Sequence, residues 1–127
     1  MIRVVTADEA AAIDAATIAA GTPSYELMRA AGERAAALVV ARFPDHLARP
    51  VVFVGSGNNG GDGWVVAAAL SLRGVPVQVV VAAEPRTDDA RRAAAWYRAV
   101  APGPIPASDT PAPATLEIGR ASCRERV

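Results

Sequence analysis

The chain has 127 residues, is 52% apolar and 20% charged, and balances 13 basic against 13 acidic residues to a net charge of zero. That is material for one modest core in a single domain, and the neutral balance leaves no electrostatic footprint for a nucleic acid. No stretch approaches the roughly 18 apolar residues of a membrane span, and Asp8, Glu9 and Asp14 interrupt any secretory signal, so a cytoplasmic protein without a membrane partner is expected. Every basic residue is an arginine, which with the alanine excess reads as codon bias rather than a binding patch.

Spacing and end signals set out the elements. Thr6 with Glu9 three residues on is a capping box, predicting a helix over residues 7–20 that Gly21 ends. Thr22 and Pro23 suit the cap and first position of a second helix. It runs to about Arg42, with Leu27, Ala31, Ala35 and Leu38 on one face and Pro44 as the stop. Residues 51–54 are a short β-branched apolar run, the pattern of a buried parallel strand. A glycine-dense turn leads to a third helix over residues 63–73, a second strand over 76–82, and a fourth helix capped by Thr87 and reaching Val100. That order implies a parallel βαβ unit, although two strands do not make a sheet that stands alone. Residues 101–116 are proline- and alanine-rich without periodicity and read as a linker or disordered segment.

Chemistry concentrates in Gly55-Ser56-Gly57-Asn58-Asn59-Gly60-Gly61-Asp62-Gly63. So many glycines are costly in backbone entropy unless the main chain takes positive φ or something approaches it closely. Gly55, Gly57 and Gly60 fit the G-x-G-x-x-G dinucleotide fingerprint, with Glu84 after the second strand as the candidate for a ribose hydroxyl. Asp62 speaks against a bare phosphate cradle, because a carboxylate at the helix mouth repels a phosphate drawn to the free N–H groups. Asn58, Asn59 and Asp62 suit hydroxyls, an amide or a monovalent cation better, and Asp62 can also serve as a helix N-cap.

The run N-N-G-G-D-G after a V-x-G-x-G strand end resembles the signature of the NAD(P)H-hydrate epimerase family, the YjeF N-terminal domain. Leu27-Met28-Arg29-Ala30-Ala31-Gly32 resembles the family's L-M-x-x-A-G helix, and Ala7-Asp8-Glu9-Ala10 with Ile13-Asp14 its opening helix. The resemblance implies a Rossmann-like three-layer α/β/α sandwich with a parallel sheet, of which residues 1–116 would be the N-terminal half. It implies an enzyme of nicotinamide nucleotide repair that interconverts the R and S hydrates of NADH and NADPH (NADHX and NADPHX). Substrate would bind at Asn58, Asn59, Gly60, Gly61 and Asp62 together with two later loops that this sequence lacks. A potassium ion would sit at Asn59, whose carboxamide oxygen is a neutral hard donor. The ring nitrogen of the hydrate can expel the hydroxyl as water and the resulting iminium can regain it from either face. A positioned carboxyl assists such a path, and Asp62 is the acid within the motif. A homodimer and a fused ADP/ATP-dependent dehydratase domain are both compatible with the family.

Two other classes stay open at this stage: a nicotinamide-dependent oxidoreductase using Glu84, and a non-catalytic binding module of the same fold. His46, in the polar loop 44–50, reads as an exposed structural residue. Trp64 can stack on a ring, but core packing is the commoner role of a tryptophan just inside a helix.

Residues 117–127 resemble the conceptual translation of a common short-read sequencing adapter, which marks them as a non-native tail on a truncated fragment. Cys123 then belongs to the tail and gives no thiol chemistry. The tail holds Arg120, Arg124, Arg126, Glu117 and Glu125, so the 13 basic and 13 acidic residues become ten and eleven without it.

Overall fold

The computed structural model describes residues 4–101, 105–106 and 114–119; the rest of the linker, and Arg120, Cys123, Arg124, Glu125 and Arg126 of the tail, lie outside the described residues. Helix α1 (Ala7–Ala19) opens on the expected capping box, with the Glu9 N–H donating to Thr6 Oγ1 and the Thr6 N–H donating to the Glu9 carboxylate, each at 3.1 Å. Gly21, at φ 108°, turns the chain out of the helix. No residue of α1 is buried.

Helix α2 (Ser24–Arg42) starts one residue later than Thr22 and Pro23 suggested, with Pro23 as its N-cap and no side-chain cap. Its buried residues are Tyr25, Met28, Gly32 and Ala36, one position on from the expected face, a rotation of about 100°. Leu38 is 55% exposed. Alanine on every side leaves the helix no strong apolar stripe, so the contact itself decides the face. Gly32 is the deciding residue, since a Cβ there would overlap the Val65 side chain.

After a 3₁₀ turn (Pro44–His46) come β1 (Pro50–Val54), α3 (Asn58–Leu72), β2 (Gln78–Val81) and α4 (Asp88–Val100). Thr87 caps α4 as expected, accepting from the Ala90 N–H at 3.1 Å. The second strand is shorter than residues 76–82. The larger correction is α3, which begins at Asn58 rather than Gly63. The glycine run is helical from its fourth residue because its glycines serve contact, not turning: among the described residues positive φ belongs to Gly21 and Gly74 alone.

Two further strands form: β3 (Ile105–Pro106) lies inside the 101–116 stretch expected to be a linker, and β4 (Leu116–Ile118) begins at its last residue. The sheet has the order β3-β2-β1-β4, with every pair parallel. β4 pairs Pro50 with Leu116 and Val52 with Ile118, so Glu117 and Ile118, expected from sequence to open a foreign tail, occupy a strand. Thr115 clamps its entry: its Oγ1 accepts from the Arg49 N–H at 2.8 Å and donates to the His46 carbonyl at 2.7 Å. Pairing here satisfies backbone groups along an edge of β1 that would otherwise stay open, a main-chain demand that proline and alanine content does not reveal.

The core forms where α3 lies over Val52 and Val54. Trp64, Val65, Ala67, Ala68 and Leu70 are fully buried between the sheet, α2 and α4. The architecture is the Rossmann-like α/β fold expected.

Candidate functional site

Close packing of glycines positions the motif. A Cβ on Gly60 would overlap the Gly55 carbonyl oxygen, and one on Gly61 would fall 2.7 Å from Met28 Sδ and 3.2 Å from Ala90 Cα. One on Gly63 would fall 2.9 Å from Val54 Cγ1. The first turns of α3 are therefore packed against the strand end, α2 and α4 at once, and at Gly60 the obstacle is the Gly55 backbone itself, which leaves no room for a side chain.

This wedge presents Gly57, Asn58 and Asn59 to solvent just past the carboxyl end of β1, while Gly60 and Gly61 are buried. Asp62 is half-buried in the second turn of the helix. It is thus not the N-cap; that position belongs to Gly57, which offers no side-chain acceptor, and the first turn of α3 carries no acidic residue. The positive end of the helix dipole is left without a neighbouring carboxylate in that turn.

The loop after β2 is stitched to the motif. The Ala82 N–H donates to the Val54 carbonyl at 2.9 Å and the Arg86 N–H to the Ser56 carbonyl at 2.8 Å. Thr87 Oγ1 donates to Asn58 Oδ1 at 2.8 Å. Ser24 Oγ donates to the Asp89 carboxylate, so the N-termini of α2, α3 and α4 meet at one end of the sheet. Arg86 and the Thr87–Asn58 bond were not legible in sequence, where Thr87 carries only the signal of a helix cap. In an open parallel sheet a ligand lies beyond the carboxyl ends where the strand order reverses; here that point is between β1 and β4.

Other candidates fall elsewhere. The Glu84 carboxylate is exposed and 3.9 Å from the Arg98 guanidinium. Trp64 is core, its ring centroid 5.6 Å from that of Tyr97, and its buried Nε1 has no hydrogen-bond partner among the described residues. His46 is exposed and packs edge-on against Phe43. A cleft of about 380 Å³, lined by residues including Ser71, Gln78, Tyr97 and Val100, lies at the opposite, amino end of β2 and shares no residue with the motif. Among the described residues no three His, Cys, Asp or Glu side chains group as metal ligands, and no helix is long and apolar enough to cross a membrane.

The sequence profile of the YjeF-related protein N-terminus matches residues 24–116, from the first residue of α2 to the first of β4. The chain belongs to this family. The YjeF-related domain is 34% identical over 116 residues to the bifunctional NAD(P)H-hydrate repair enzyme Nnr of Thermanaerovibrio acidaminovorans, covering 91% of this chain and 22% of that protein. It is 46% identical over 88 residues to the NAD(P)H-hydrate epimerase of Bordetella pertussis, covering 68% of this chain and 37% of that one. The crystal structure of the yeast protein ynu0 superimposes with a TM-score of 0.74 at 28% identity, over 84% of this chain and 48% of the yeast chain. The chain therefore spans well under half the length of the curated relatives it matches.

Proposed function

We propose that the full-length parent of this YjeF-related domain interconverts the R and S hydrates of NADH and NADPH, and that Asn58, Asn59, Gly60, Gly61 and Asp62 form one wall of its substrate site. Family membership and the names of the relatives support the chemistry. The observation that carries the site is the glycine wedge, which holds two exposed amides and a half-buried acid at the carboxyl end of β1. Asn58 is oriented by Thr87. Asp62, withdrawn from bulk water, is suited to hand a proton to the departing hydroxyl and take one from the returning water.

Potassium, when bound, supplies charge that orients substrate oxygens. Asn59 fits one corner of such a site, being exposed, neutral and an oxygen donor, and hard cations of this kind take several oxygens, so the remaining ligands belong to later sequence. The bifunctional relative supports a parent in which a dehydratase domain follows. A cytoplasmic setting, where the reduced nicotinamide pool is made and used, suits the reading. The fragment alone lacks the rest of the site and is inactive in this proposal.

The test uses the purified parent and chromatographic separation of the two hydrates. Asp62→Asn lowers kcat by about 10²- to 10⁴-fold if the carboxyl assists proton transfer, whereas a purely binding role raises KM instead. Asn59→Ala weakens activity in a way that added potassium partly restores, and Asp62→Asn is not restored by it. A parent that leaves the hydrates to equilibrate at the spontaneous rate would refute the reading.

A further inference from the structure

We propose that Arg86 binds a phosphate of the substrate's nucleotide half. The proposal deepens the epimerase reading of the same site and rests on it. Two charged residues lie between β2 and α4, and the structure separates them. Glu84 sits within 3.9 Å of Arg98, while Arg86 is exposed and has no ion pair among the described residues. Its main chain is not free to wander: the hydrogen bond to the Ser56 carbonyl places it against the glycine turn, and the next residue, Thr87, holds Asn58.

Strand order supplies the second argument. A parallel β3-β2-β1-β4 sheet with a glycine turn after β1 is the arrangement in which dinucleotides lie across the strand ends, and there a residue just past β2 faces the adenosine ribose or its phosphate. The third argument is electrostatic. The repulsion expected from Asp62 at the helix mouth does not arise in the first turn, where no acid stands and Gly57 gives no side-chain cap. An exposed guanidinium carried on a main chain hydrogen-bonded to the Ser56 carbonyl, and without an ion pair among the described residues, offers the planar, multidentate geometry of phosphate recognition. The phosphate has two sources: the diphosphate bridge common to both hydrates, or the 2′-phosphate of NADPHX alone.

Steady-state kinetics of the parent and its Arg86→Ala and Arg86→Lys variants on each hydrate separate them. Arg86→Ala is expected to raise KM about 10- to 100-fold, the loss of a charge-assisted hydrogen bond, with Arg86→Lys partly restoring it. A rise confined to NADPHX assigns the 2′-phosphate, and an equal rise on both assigns the diphosphate. Unchanged KM on both hydrates, or a fall in kcat alone, would overturn the proposal. Calorimetric titration with ADP and 2′,5′-ADP gives a readout that needs no turnover, so a parent with no epimerase activity defeats the epimerase reading while Arg86 is still judged by binding.

Discussion

Gly57 and Gly60 stand three positions apart in one motif and answer to different physics. Gly60 meets the Gly55 backbone, which cannot swing aside as a side chain would, whereas a Cβ on Gly57 meets nothing within 4 Å and its φ of −92° suits any residue. In the parent, Gly60→Ala is expected to cost about 1–3 kcal/mol of overpacking, read as a lowered denaturant midpoint. Gly57→Ala should stay within about 0.5 kcal/mol, as surface changes do; equal effects would defeat the wedge account. Tyr97 makes the second residue-scale prediction. Burial pushes its phenol above the ordinary value of 10.0, so the folded state holds the proton more tightly than the unfolded one. That contribution is fully present below about pH 10 and is lost as pH rises through the folded value. The chain has no lysine to blur the range. Stability should decline above about pH 10, and Tyr97→Phe should flatten that decline in denaturant melts taken across the alkaline range.

Among elements, α1 and α3 are opposites. α3 is buried along most of its length, while α1 has thirteen residues, a complete capping box and no buried side chain. Isolated helices of that length are marginal in water, so the box and its alanines carry α1 alone. Hydrogen exchange should find α1 amides opening far more readily than those of α3. Thr6→Ala should remove about 1 kcal/mol of local helix stability without moving the global unfolding midpoint. Protection of α1 equal to that of α3 would show that it is packed.

For the whole molecule, β3 and β4 flank the two central strands with two and three residues each, and such short borders leave Phe53 and Val54 of β1 and Gln78 and Val79 of β2 without an outer partner among the described residues. The isolated 127-residue chain is expected to aggregate through its strand edges and to show no epimerisation above the spontaneous rate in the chromatographic assay; catalysis by the fragment would refute this. The pairing of Glu117 and Ile118 with β1 uses main-chain groups, which any residue but proline supplies, so it is compatible with a tail of foreign origin. Genomic DNA continuing past Leu116 is expected to encode different residues from 117–127, and sequencing the locus decides it.

What the sequence determined by itself was local. The Thr6 and Thr87 caps, the stop at Gly21, the apolar run of β1 and the nine-residue motif are each written in neighbouring residues whose physics acts over one helical turn or one strand. Tertiary structure decided the rest. Which side of alanine-rich α2 is buried depends on Val65 meeting Gly32; that the motif is helix rather than turn depends on Gly55, Met28 and Ala90 closing around its glycines. The strands at Ile105 and Leu116 exist because β2 and β1 had edges to fill. Asn58 finds Thr87, and Arg86 finds Ser56, across some thirty residues of chain. Such pairings leave no periodicity behind, because a single hydrogen bond between distant segments asks only for one suitable group at each end.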